Sequence, residues 1–164
     1  MASKSDKLGV SPAQPPEALS VGISTQYIKD FSFESPNAPQ IFAPTDSVPE
    51  MQMGVNVLTR NLVENVYEVI LAIKLEARID DKVAFLTELA YAGVFHLPAM
   101  EESQLKMFLV IECPRMLFPF ARSILMNAIR ESSFPQVMIS PIDFAQLYMM
   151  NKDKTDSART AGAA

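Results

Sequence analysis

One cysteine, one histidine and five glycines among 164 residues leave little material for chemistry. The lone Cys113 has no intrachain partner, so packing rather than a disulfide must hold the fold, as in a reducing compartment. A nucleophilic mechanism needs a thiol, a base and a group that orients the base, and only Cys113 and His96 are available. Cys113 stands before Pro114 at an expected helix break and reads as a small buried hydrophobe. His96, between Phe95 and Leu97 at a strand end, reads as structural. One thiol and one imidazole do not close a zinc site without carboxylates at ligand spacing, and no such cluster occurs in the sequence. The few glycines form no phosphate-cradling loop. The expectation is a protein that is not an enzyme and carries no metal and no cofactor. No run of 18 apolar residues is present, and residues 1–20 have lysines without an apolar segment. Neither a membrane span nor a secretory signal is therefore expected, and the chain reads as cytoplasmic.

What is present is enough apolar material, 49% of the residues, for a single domain with a real core. The net charge is -5, and residues 20–98 hold ten acidic side chains against five basic ones. Such a field disfavours nucleic acid, whose phosphates need cations, and suits a basic partner; ordinary solubility would produce the same excess. Residues 1–21 are rich in Ser, Pro, Ala and Lys without apolar periodicity and read as a disordered N-terminal tail. Residues 152–164 read as a flexible C-terminal tail, which leaves 22–151 as the domain.

Within that domain the period changes once. Tyr67, Val69, Leu71, Ile73, Leu75, Ala77 and Ile79 alternate with Glu68, Lys74, Glu76 and Arg78, a long strand covered on one face. Asp80-Asp81 makes a tight reversal, and Val83, Phe85, Leu89 and Tyr91 resume the alternation as the second arm of a hairpin. Residues 51–57 and 26–34 supply two more strands. After Pro98 the spacing turns helical: a short helix over 101–111 ended by Pro114, and a longer one over 115–131 with a wide apolar stripe. Pro119 is tolerable in that helix only near its first turn. A last helix over 142–151 is announced by Ser140 as N-cap, Pro141 behind it and Asp143 three residues on. Strands first and helices second predict an α+β fold, a four-stranded antiparallel sheet with helices packed on one face.

The stretch Tyr27-Ile28-Lys29-Asp30-Phe31-Ser32-Phe33-Glu34-Ser35-Pro36-Asn37-Ala38-Pro39-Gln40 joins an alternating strand to a Pro-Asn-Ala-Pro stop. Val66-Tyr67-Glu68-Val69, Gly93-Val94-Phe95, Cys113-Pro114, Leu117-Phe118-Pro119-Phe120-Ala121-Arg122 and Phe134-Pro135-Gln136 follow in order. In sequence, spacing and order these segments resemble the SecB family of protein-export chaperones, over residues 27–150. The resemblance implies a holdase that binds unfolded precursor proteins and delivers them to the SecA motor. It further implies a homotetramer built as a dimer of dimers, with long helices packed between two sheets.

Two surfaces follow from it. Asp30 and Glu34 share a strand face at roughly 13 Å, and Leu86 and Glu88 share a face opposite Val83, Phe85 and Leu89. By themselves these are a solvated sheet face with one leucine; by resemblance Asp30, Glu34, Leu86 and Glu88 bind the zinc-bearing basic C-terminal tail of SecA. Met51, Met53, Val55, Val137, Ile139, Phe144 and Tyr148 read from composition as core, whereas the resemblance makes them the lining of a client-binding groove. Methionine suits such a groove because its torsions and polarizable sulfur accept varied side chains. Some positions depart from the family pattern. Ala43-Pro44-Thr45-Asp46-Ser47 lacks the family's aromatic, Met100-Glu101-Glu102-Ser103 stands where glycines are common, and the end of the chain is not strongly acidic. Competing readings are a SecB-like holdase for other clients, such as an antitoxin, that does not dock on SecA, a carrier of a small apolar ligand, and an enzyme using Cys113.

Overall fold

A computed structural model describes residues 21–135 and 137–161; all but the last residue of the expected N-terminal tail, together with Gln136 and residues 162–164, lies outside the described residues. Four antiparallel strands, β1 (Gly22–Glu34), β2 (Glu50–Val63), β3 (Val66–Ile79) and β4 (Lys82–His96), form one sheet in the order β1-β4-β3-β2. The predicted hairpin closes at Asp80 and Asp81, whose φ values of 49° and 61° give the left-handed pair that a two-residue turn requires. Ile79 then faces Lys82 across it. A second tight turn at Glu64-Asn65 joins β2 to β3, with Asn65 at φ 60° and Val63 facing Val66.

Alternation along β3 has the predicted outcome: Val69, Leu71, Ile73, Leu75 and Ala77 are all buried on one face. Thr87, Leu89, Tyr91 and Phe95 of β4 join them. Helix α2 (Cys113–Glu131) covers this face through Leu117, Ala121, Leu125 and Ile129, a stripe with a spacing of four residues. Gly93 is the point of closest approach, since a Cβ there would lie 2.9 Å from Leu117 Cδ2 and 3.0 Å from Phe95 Cε2. That contact accounts for the glycine in Gly93-Val94-Phe95. The rest of the predicted α2 stripe is covered only in part: Ile124, Met126 and Ala128 are half-buried, and Met116 and Phe120 remain exposed.

Three helical expectations are corrected. Pro114 does not end a helix: α1 (Glu102–Met107) runs into a π-helical segment, Phe108–Glu112, and straight on into α2. The Cys113 N–H donates to Phe108 O, five residues back, and this widened turn accommodates a proline that lacks a donor and crowds the preceding carbonyl. Pro119 sits inside α2 rather than in its first turn. The last helix, α3 (Phe144–Ala161), is capped by Asp143, whose Oδ1 accepts the Gln146 N–H at 3.0 Å, and not by Ser140. Burial of Ile139 and Phe144 in the core fixes where the chain turns into the helix. Its backbone is helical past Asn151, as far as Ala161.

The Pro-Asn-Ala-Pro stop pins the end of β1 to β4. Ser35 Oγ donates to Ala84 O and Asn37 Nδ2 to Val83 O, each at 2.9 Å. A 3-10 turn, Gln40–Phe42, then brings Phe42 to 5.0 Å from the ring of Phe134. Phe134 also meets Phe85 at 5.0 Å and Phe33 at 6.5 Å, so Phe134-Pro135 closes the core at this end. No helix among the described residues is long and apolar enough to cross a membrane.

Candidate functional site

The face of the sheet away from the helices carries the first predicted surface. Antiparallel register places Glu34 opposite Leu86, Ser32 opposite Glu88 and Asp30 opposite Ala90. Residues directly opposed in an antiparallel pair share a face. Asp30, Glu34, Leu86 and Glu88 therefore form one patch across β1 and β4, with the carboxylates exposed and Leu86 half-buried. A bulge between Ile28 and Asp30 takes Lys29 out of the pairing and shifts the parity of β1, while Asp30 and Glu34 lie together beyond it.

Register also adds residues that the sequence reading did not assign to this site. Leu86 faces Glu76 of β3, and Glu88 faces Lys74. Lys74 Nζ lies 2.9 Å from Glu88 Oε1, and that hydrogen-bonded carboxylate holds the ammonium above its ordinary pKa, with Glu76 and Glu34 adding to the effect. Arg78 Nε pairs with Glu76 Oε1 at 2.6 Å. The strand alternation had put both β3 residues on a polar face; only the pairing register shows what they meet.

Further along the same face, Glu68 is 2% exposed. Tyr27 Oη and Lys29 Nζ both donate to its Oε1, the latter at 2.6 Å, and Arg60 Nη2 stands 3.1 Å from Oε2 as an ion pair. These partners, Lys29 first, hold the carboxyl below its ordinary pKa against the opposing effect of burial. The group joins β1, β3 and β2 across the sheet, a structural tie that neither periodicity nor motif spacing exposes.

The second surface lies on the helix side, along β2. This edge strand shows Met51, Met53, Val55 and Val57 to that side, opposite Ala77, Leu75, Ile73 and Leu71 of β3. Met51 is 36% and Met53 43% exposed, whereas Val55, Val137 and Tyr148 are half-buried. At one end a small apolar void of about 30 Å³ lies among Met51, Phe85, Phe134 and Val137. At the other a cavity of about 190 Å³ opens between Val57, Val110, Phe144 and Tyr148. Ile139 and Phe144, predicted to line the groove, are 3% and 1% exposed; Ile139 lies in the core beneath it, while Phe144 packs in the core and walls the larger cavity. Val57 faces the same surface, and its parity with Val55 carries that signal in the sequence.

Cys113 is fully buried, and desolvation pushes its thiol up to about 12, far from a nucleophile's range. His96 is exposed at the end of β4. Among the described residues no group of three or more His, Cys, Asp or Glu could hold a metal ion.

Comparison with known proteins agrees with this architecture. The SecB-like chaperone Rv1957 of Mycobacterium tuberculosis, solved with a ChAD peptide from the Rv1956 HigA1 antitoxin, shares the fold. Its TM-score is 0.62 at 11% identity, over 74% of this chain and 90% of that one. In sequence the chain is 45% identical to the protein-export protein SecB of Parvibaculum lavamentivorans, over 91% of this chain and 89% of the relative. It is 48% identical to that of Afipia carboxidovorans, over 85% and 84%. The family model described as preprotein translocase subunit SecB matches residues 14–155, and with these relatives it shows that the chain belongs to the SecB family of protein-export chaperones.

Proposed function

We propose that this chain is a cytoplasmic holdase that binds unfolded precursors through the β2 groove, keeps them competent for translocation and passes them to SecA through the acidic patch. The observation that carries this reading is the exposure of Met51 and Met53 on a strand face whose neighbouring Val55 and Val57 are half-buried against the core. An unfolded client exposes apolar stretches that a folded one buries, so selection of the unfolded state needs no sequence code. Burying about 400 Å² of apolar surface at roughly 25 cal/mol per Å² gives about 10 kcal/mol. Ordering the segment and losing rigid-body freedom cancel most of that. A single groove therefore binds weakly, and several grooves on one particle convert later contacts into intramolecular ones.

A homotetramer, assembled as a dimer of dimers, supplies those grooves. Exposed Met116 and Phe120 on α2 support it, since a second layer packed on this helix would cover them. Asp30, Glu34, Leu86 and Glu88 form the docking patch for the zinc-bearing basic tail of SecA. The test is dilution of a denatured exported precursor with and without the protein, scored for aggregation and folding rate. Suppressed aggregation and slowed folding are expected, and precursor behaviour identical in both arms would overturn the holdase reading. Charge reversal at Glu88 should abolish binding of the isolated SecA tail and leave client holding intact. Loss of both together would mark Glu88 as a structural residue, and failure of the unmutated chain to bind the tail would favour a holdase that works without the motor. Light scattering should return a tetramer, and a monomer at micromolar concentration would remove the avidity argument.

A further inference from the structure

Glu88 is not free to meet an incoming cation, because Lys74 already holds it at 2.9 Å. The pair sits at a depression of about 410 Å³ in the outer sheet face, with Asp30 and Ala90 on one side and Gly54 and Asn56 on the other. Both side chains of the pair are about half exposed, 56% for Lys74 and 50% for Glu88, so water competes for the contact and it is weak. The register places Gly54 of β2 directly across from Lys74. A Cβ at Gly54 would meet nothing within 4 Å, which leaves the lysine an open lane toward β2. An ammonium on a four-carbon stem can swing into that lane without moving the backbone.

We propose that Lys74 is a specificity-determining residue of the docking patch: it occupies Glu88 in the free protein and must swing aside over Gly54 before a basic peptide engages that carboxylate. The inference rests on the docking role given to Glu88 above. Docking is then an exchange of one cation for another, so its affinity is set by the difference between the peptide's cation and Lys74. A ligand that merely carries positive charge gains little from the exchange. One that also satisfies Asp30, Glu34 and half-buried Leu86 gains from contacts that Lys74 does not make. Partial self-neutralisation of the patch thus disfavours non-specific cations, a repulsive element set against wrong partners.

The experiment titrates a fluorescent, zinc-loaded SecA C-terminal peptide against the full-length chain at low salt and reads anisotropy. Water competes for an exposed ion pair and keeps it weak, so removing the lysine shifts affinity by no more than about fivefold. Lys74→Gln should therefore tighten binding about two- to fivefold. Lys82→Gln, the same loss of charge at the hairpin tip, should change it by less than about 1.5-fold. In a Glu88→Gln background, Lys74→Gln should give no gain, because the lysine acts through that carboxylate. If Glu88→Gln weakens binding but Lys74→Gln leaves it unchanged or weaker, the exchange is wrong and the docking patch stands. Equal tightening by Lys74→Gln and Lys82→Gln would also overturn the exchange, leaving a general field effect. If the wild-type chain does not bind the peptide, or binds it as tightly as Glu88→Gln does, the docking patch itself is wrong and the exchange falls with it.

Discussion

Glu68→Gln is the most informative single test of the fold's electrostatics. The substitution keeps the shape of the side chain and an oxygen for Tyr27 and Lys29, but removes the charge at a site that is 2% exposed. Its partners differ from it in exposure, with Lys29 37% and Arg60 66% exposed. When the carboxylate goes, both cations return to water, so the cost is that of charge-assisted hydrogen bonds, about 1.5–3 kcal/mol. Lys29→Met should cost at least as much, because it strands a buried carboxylate beside only Arg60 and Tyr27. The pH dependence follows from the lowered folded-state pKa of Glu68. Its contribution is present above the ordinary value of 4.5 and is lost as pH falls through the lower folded value. Urea unfolding of both proteins at one protomer concentration, at neutral pH and stepwise below 4.5, measures the gap between them. It should be full at pH 7 and shrink on acidification. A gap absent at pH 7, or the same at every pH, would refute the reasoning.

Gly93→Ala should destabilise by about 1–3 kcal/mol, because the new Cβ would lie 2.9 Å from buried Leu117 Cδ2, and Leu117→Val should recover part of the loss in chemical unfolding. Native Cys113 should resist a thiol reagent at pH 8 and react on addition of denaturant, since its thiol is buried and pushed up to about 12; rapid native labelling would contradict the packing. Met53→Asp and Phe144→Ala should separate groove from core. The first, at a 43% exposed position, should reduce client holding with little change in stability, and the second, 1% exposed, should cost about 3–5 kcal/mol in unfolding.

The strand alternation in β3 by itself determined its buried face and the Asp80-Asp81 turn, because period and turn chemistry are local. Motif order reached the family, and through it the acidic patch, whose four members the register does bring together. Local signals failed where a neighbour in space decided. Pro114 read as a helix end, yet a π-helical turn absorbs it within a continuous helical run. Ser140 read as the cap, but burial of Phe144 handed that place to Asp143. Ile139 and Phe144 carry the same apolar character as Met51 and Met53, and only packing separates floor from rim.

By itself, then, the sequence determined an α+β chain with one hydrophobic face per strand, few groups capable of catalysis, and membership of an export-chaperone family. Those properties depend on residue type and spacing along the chain. Tertiary structure alone decided that Glu68 ties three strands, that Lys74 holds Glu88, and that β2 keeps its methionines uncovered. Each of these is set by strand register or by the packing of a distant segment, and neither is encoded in the period of any one element.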